Sequence, residues 1–418
     1  MIAISSLTRE FKLVLRQPFS LALFGVVAFL SSYAVWAGLA EVQRQNTVIE
    51  RLVAADDQER AAVLAKQSDY GGAAYYSFHL TYDPPSSLTF AAFGVRDVFP
   101  WKHRIRMLAL EGQIYENDGA NAELAQAGRF DFAFIVSVIA PLFLIILLHD
   151  QQAAEREAGR HDLLVATVGK ERELWLARSA VRIGLLCVAL LVPFLFGAVR
   201  AGSSTSGVTQ VCLVVCGLLL FWAVICLWAS KRPHRGPAIA SGLVTFWILT
   251  TFVVPPIGEA IIERMISVPT GNEIILTQRE TVNDAWDLPK HASMEPFVEQ
   301  HPQWAEYASV KRPFEWKWYY AFQQVGDQTV QQLSTTRRDA IAARDSAATW
   351  MAFLSPSSLV ERALTAIAET NIKAALAYQQ KVRDFHAELR HFYYPFFFQD
   401  AEYDKSALAN LPRYEPKI

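Results

Sequence analysis

Few residues in this chain combine a reactive type with a telling spacing. The densest set is the run from Asp150 to Gly159, where Glu155-Arg156-Glu157-Ala158-Gly159 alternates acid and base within about one helical turn. Such side chains suit charge pairing that fixes the orientation of a neighbour, not bond-making. A short apolar run, Leu163-Leu164-Val165-Ala166-Thr167, follows closely. The charges would orient a docking partner and Leu163 and Leu164 would anchor it. On the residues alone, the same stretch also fits a solvated loop.

Other candidates for chemistry are weaker. Cys212 and Cys216 share a helix face at i, i+4 spacing, as a metal pair would. No histidine or carboxylate accompanies them in that apolar run, so they read as small buried residues. His79, His103, His291 and His301 could form a metal site only with Asp83 or Asp97. The chain has no G-x-x-x-x-G-K-[ST], no H-E-x-x-H and no G-x-S-x-G. The expectation is therefore a chain with no catalytic residues, no metal and no cofactor of its own.

These residues must be positioned by a membrane protein. The chain has 418 residues, 52% hydrophobic and 19% charged, against about 25% charged in soluble domains. The depletion is concentrated in five blocks, 18–40, 132–148, 183–199, 208–230 and 238–257. A helix needs about 20 apolar residues to cross a bilayer core of about 30 Å. The two shortest blocks lie at the lower end of that range. The first block is too long for the apolar part of a cleaved signal peptide and reads as an anchor, although Gly38-Leu39-Ala40 offers small residues at both cleavage positions. The blocks hold no acidic or basic residue that would mark an ion path. Asp131, at the edge of the second, reads as a helix cap. The net charge of -2 argues against a nucleic-acid partner.

Basic residues set an orientation. Arg9, Lys12 and Arg16 precede the first block. Arg156, Arg160, Lys170, Arg172, Arg178 and Arg182 lie between the second and third. Lys231, Arg232 and Arg235 lie between the fourth and fifth. This predicts a cytoplasmic N-terminus, a cytoplasmic loop over 149–182, and two extracytoplasmic segments, 41–131 and 258–418, with the C-terminus outside. Residues 1–17 hold an amphipathic segment, Leu7–Arg16. It sets Leu7, Phe11, Val14 and Leu15 on one face and Arg9, Glu10, Lys12 and Arg16 on the other. This predicts an interfacial helix in the plane of the bilayer.

The outer segments read as mainly helical. Residues 41–67 continue the first span as a stalk. The second segment extends the fifth span through Ile261 and Ile262, is irregular to about Pro313, and then forms two or three long helices. Trp350–Ala368, broken by Pro356, reads as an amphipathic helix rather than a sixth span. Ala375, Tyr378, Val382, Phe385, Leu389 and Phe392 step by three and four along one buried face. The aromatic run Tyr393-Tyr394-Pro395-Phe396-Phe397-Phe398 reads as core packing between the outer segments, with a membrane anchor or substrate path as the alternative. The fold class is an all-α membrane protein of about five transmembrane helices. Its mainly helical extracytoplasmic domain is built from two segments.

An N-terminal helix ending in Arg-x-Pro before a span, with a later Glu-Arg-Glu-x-Gly and Leu-Leu close behind, resembles ABC-2-type transporter permeases. Further pieces resemble a branch with enlarged outer domains: His79 through Asp83-Pro84-Pro85-Ser86, Gly94-Val95-Arg96-Asp97-Val98-Phe99-Pro100, Gly128-Arg129-Phe130-Asp131-Phe132-Ala133-Phe134, and Phe353-Leu354-Ser355-Pro356. The resemblance covers most of the chain in ordered pieces, and the order carries it. It implies a membrane domain that pairs with a second permease, identical or paralogous, and binds two copies of an ATPase subunit. ATP and Mg would belong to that partner. Glu155, Arg156, Glu157, Gly159, Leu163 and Leu164 would match its coupling loop, with Phe11, Lys12 and Arg16 on the interfacial helix. The function implied is movement or extraction of a substrate across the cytoplasmic (inner) membrane. Family members often have six spans, so five is a departure. A membrane-anchored sensor or assembly factor, with an outer domain binding a ligand or lipoprotein, is the alternative.

Overall fold

The computed structural model describes residues 4–116, 130–168 and 171–416. Gly128, Arg129 and Lys170 lie outside the described residues. The helices in chain order are α1 (Ile4–Val14), α2 (Pro18–Ala65), α3 (Tyr70–Tyr76), α4 (Leu110–Tyr115), α5 (Ala140–Leu148), α6 (Ala153–Glu157), α7 (His161–Val168), α8 (Glu171–Arg200), α9 (Thr205–Ser230), α10 (Gly236–Ile248), α11 (Val254–Met265), α12 (Gly271–Asp287), α13 (His291–Gln300), α14 (Trp316–Ala352), α15 (Pro356–Ile367) and α16 (Ile372–Phe398). Five helical stretches are long and apolar enough to cross a membrane: α2, Phe132–Glu157, α8, α9 and Gly236–Met265. They contain the five blocks read from hydropathy.

Two stretches change pitch just before a proline. A π turn at Ile135–Ile139 precedes Pro141, and another at Leu249–Val253 precedes Pro255 and Pro256. Proline has no N–H and its ring crowds the carbonyl four residues back. A wider turn on the N-terminal side gives that carbonyl room. The helix α2 starts with proline at its first position and runs 48 residues, about 72 Å at 1.5 Å per residue. It is therefore about 40 Å longer than a 30 Å bilayer core is thick, and residues 41–65 continue the first block as one unbroken helix.

The spans pack around one apolar core that includes Val27, Val35, Leu144, Leu190, Val215 and Trp222. Phe90, from the loop after β1, enters this core between α2 and α8. A β-carbon on Gly38 would lie 2.1 Å from the Phe90 carbonyl oxygen, and one on Gly197 would lie 2.7 Å from the Phe90 ring. Only glycine at both positions leaves that slot open.

The two long polar segments, 41–131 and 258–418, share a second core. Tyr70, Ile105 and Leu110 from the first pack with Phe297, Trp318, Tyr320, Val382 and Leu389 from the second. The stepping face of α16 is buried here as expected. So is the aromatic run, with Tyr393 stacked on Phe397 and Phe397 on Tyr320 at 4.6 Å.

Two expectations are corrected. The stretch read as irregular up to Pro313 holds α12 and α13. Thr270 accepts from the Glu273 N–H while the Glu273 carboxylate accepts from the Thr270 N–H, a capping box that starts α12. The first outer segment also holds an antiparallel ribbon, β1 (His79–Tyr82) with β2 (Lys102–Ile105), pairing His79 with Ile105 and Tyr82 with Lys102. The element of sequence at fault is β2, Lys102-His103-Arg104-Ile105, which looks polar because only its alternate residues face inward.

Candidate functional site

The charged run is assembled at the end of the bundle that carries α1. Arg178, in the first turns of α8, donates from Nε to Glu10 at 3.0 Å and from Nη1 to Glu155 at 3.1 Å. Arg160 donates to the other Glu155 oxygen at 2.9 Å. Arg156 donates to the carbonyls of Ser230 (3.1 Å) and Arg232 (2.8 Å), where α9 has run out of intrahelical donors. Glu157 accepts from the Gly236 N–H at 2.9 Å, at the start of α10. Its charge there also opposes the positive end of the helix dipole.

Each member of Glu155-Arg156-Glu157 therefore holds a different helix end: Glu155 holds α8, Arg156 holds α9 and Glu157 holds α10. Glu10 brings α1 into the same network, with Ser6 donating to Glu173 at 3.2 Å beside it. Gly159 closes the turn in the left-handed region, with φ of 66°, and lets the chain reverse into α7.

The sequence reading set these three side chains toward a partner; in the fold each also bonds within the chain. It also set Glu10 on the outward polar face of the interfacial helix. Glu10 is only 2% exposed, on a buried stripe with Ser6 and Val14, while Phe11, Lys12 and Arg16 are exposed. The four-residue step Ser6, Glu10, Val14 was the readable signal. It was masked because a carboxylate is seldom counted on a buried face.

What remains presented is α7. None of its side chains is buried, Leu163 is 69% exposed, and Leu164 is partly exposed. Its first residue, His161, is fixed by stacking on Trp175 at 5.9 Å and by Glu171 at 3.5 Å. An apolar turn thus stands beside the charged network with no side chain of its own buried among the described residues.

A second convergence lies at the opposite end. Arg96 is buried and donates to Asp83 at 2.7 Å and to Gln45 of α2 at 2.9 Å. Gly94 has φ of 49°, and a β-carbon there would lie 2.6 Å from the Thr370 carbonyl. Asp131 accepts from the Phe134 N–H at 2.9 Å and from the Phe93 N–H at 3.0 Å, so it is a cap that also binds the loop. Ser86 donates to the Ala368 carbonyl at 2.6 Å, and Ser355 caps α15. Pieces far apart in sequence thus form one collar. Through Val360, Leu364 and Ala368 the collar seats α15 in the core of the spans.

Among the described residues no group of three or more His, Cys, Asp or Glu is placed to hold a metal ion. The four cysteines are free. Residues 272–417 match the model of a family described as "Domain of unknown function (DUF3526)". The match begins one residue into α12 and covers the second outer segment from there. No curated protein and no solved structure matches the chain.

Proposed function

We propose that the chain is the membrane-spanning subunit of an ABC-2-type transporter, moving or extracting a substrate across the cytoplasmic membrane with ATP hydrolysed by a separate subunit. The observation that carries this reading is α7: an apolar helix with no buried side chain, fixed beside a network that ties together the ends of α1, α8, α9 and α10. A force applied at Leu163 and Leu164 would reach four helices through Glu155, Arg156 and Glu157. That is the mechanical need of an energy-coupling loop. The basic residues at this end support a cytoplasmic position for it. Pairing with a second permease, and two ATPase copies, follow from the resemblance.

The test is the double substitution Leu163→Glu with Leu164→Glu in the full chain, purified with its native partners. The expected result is loss of the co-purifying ATPase and of stimulated ATP hydrolysis, with the chain's own thermal stability kept. Retention of both at wild-type level would refute the docking role of α7. Exposed rings on the outer domain, among them Tyr76, Trp286 and Phe314, favour a second reading as a sensor or assembly factor. In that case no ATPase co-purifies with the wild-type chain.

A further inference from the structure

The collar borders a cavity of about 830 Å³ between α11, the last turns of α14, and α15. That is within the range of about 300–1,000 Å³ usual for small-molecule sites. Its floor is apolar, formed by Val254, Ile262, Met351, Ala352 and Leu359. Its polar side carries two engaged guanidinium groups. Arg362 donates to Asp345 at 2.6 Å and to Thr349 at 2.7 Å. Arg344 donates to the Ile266 carbonyl at 2.9 Å and pairs with Glu263 at 3.7 Å. The side chains of Lys373, Glu259 and Glu361 line the same cavity and make no ion pair among the described residues.

The surroundings of the cavity are those of a bilayer edge. The fifth span exposes Phe252, Val253, Ile257 and Ile261 just beside it, the last turn of α14 exposes Trp350 (74%), and the turn into α15 exposes Phe353 and Leu354. Exposed tryptophan and phenylalanine at the end of a set of spans sit at headgroup depth. The cavity floor is continuous with this lipid-facing surface through Val254 and Leu359. An aqueous solute would gain nothing from that continuity, but an acyl chain could pass from the bilayer into the floor without crossing water.

We propose that this cavity takes a single bilayer lipid with a zwitterionic head group. An acyl chain would lie on the Val254–Ile262 and Met351–Leu359 surfaces, the phosphate toward Lys373 and the ammonium toward Glu361 and Glu259. The charges of both signs that line the cavity from α11, α15 and α16 without an ion pair among the described residues select that head group over a purely anionic one. The inference rests on the five helices crossing a bilayer and does not depend on the ATPase partner.

The experiment reconstitutes the full chain in nanodiscs holding phosphatidylethanolamine with a photoreactive group in its acyl chain. Parallel discs hold phosphatidylglycerol with the same group. Labelled peptides are mapped by mass spectrometry. Expected is several-fold stronger labelling of α11 and α15 peptides in the first discs than in the second. Ala366, an exposed residue lining the cavity, is changed to Trp to fill it. Ala366→Trp should remove the excess labelling while leaving the label at the exposed Phe29 of α2, and the melting temperature, unchanged. Equal labelling in wild type and Ala366→Trp would overturn the site. Stronger labelling by phosphatidylglycerol would overturn the head-group assignment. Cross-links from cavity residues to a second copy of the chain in place of lipid would overturn the occupant. Absence of label at Phe29 as well would refute the membrane reading itself.

Discussion

Arg178 donates to Glu10 at 3.0 Å, joining helices whose contacting residues are 168 positions apart in the chain. The Glu10 side chain is 3% exposed and that of Arg178 is 11%. Removing one partner of a buried pair leaves an uncompensated charge and costs about 3–5 kcal/mol. Arg178→Leu is therefore expected to lower the thermal midpoint in detergent more than Arg160→Leu, since among the described residues the Arg160 side chain pairs with Glu155 alone and is 61% exposed. Double-mutant analysis with Glu10→Gln should give a coupling well above the about 0–1 kcal/mol of surface pairs. Equal, small effects of the two arginine changes would show that the network is not a structural base.

The Phe90 slot predicts opposite outcomes for two glycines in one helix. Gly38→Ala drives a methyl into the Phe90 carbonyl, a backbone atom that cannot rotate away. The chain must then shift, at a cost of about 1–3 kcal/mol or more. A β-carbon on Gly25 meets nothing within 4 Å. Gly25→Ala should be neutral, or stabilising by up to about 1 kcal/mol from helix preference. Midpoints that fall equally for both variants would argue against the slot.

Asp131 offers a graded test of the collar. One carboxylate oxygen accepts from Phe134 and the other from Phe93. Asparagine keeps one acceptor, and alanine keeps neither. The cap is worth about 1 kcal/mol, and the orphaned Phe93 N–H costs about 1–3 kcal/mol more. Stability is expected to fall in the order Asp131, Asp131→Asn, Asp131→Ala, with amide exchange rising first around Phe93. If Asp131 were a proton relay instead, Asp131→Asn would retain stability and lose activity.

Much of the architecture was legible in the sequence because hydropathy and helical period are local signals. The five blocks, the stalk and the buried face of α16 each follow from residues within one helix. The collar, the Phe90 slot and the α1-end network were not legible as structures, because each joins residues far apart in the chain. Gly38, Phe90 and Gly197 carry no common pattern until packing brings them together. The internal bonds of Glu155, Arg156 and Glu157 went unread for a related reason. Their spacing identified a charged turn, but which helix ends lay within reach depended on how four spans converge. Leu163 and Leu164 were read more directly, since an apolar pair in a charged loop has no local means of burial.

The domain built from the two long polar segments should lose stability in mild acid. His79 is buried beside Phe385 and near Arg60, and burial first, then the Arg60 charge, pushes its imidazole down to about 3. Burial, with Arg383 adding to it, pushes His103 down to about 4. His386 is buried as well and held well below the ordinary value, burial again leading. A histidine with a lowered folded value binds its proton more readily when unfolded. Stability is therefore full above the unfolded value near 6.5 and falls as pH drops toward the folded value. The slope is about 1.4 kcal/mol per pH unit for each such group. The Glu111–Arg383 pair, at 2.6 Å, adds the same sign below the carboxylate range, because its carboxyl is held low. Between pH 7 and pH 5 the expected result is a fall in the unfolding midpoint. Exchange should rise earliest in peptides covering 79–82 and 382–390, while the spans stay protected. His79→Phe should flatten part of that slope. A midpoint independent of pH over this interval would mean that the three histidines are not neutral and buried together as the fold places them.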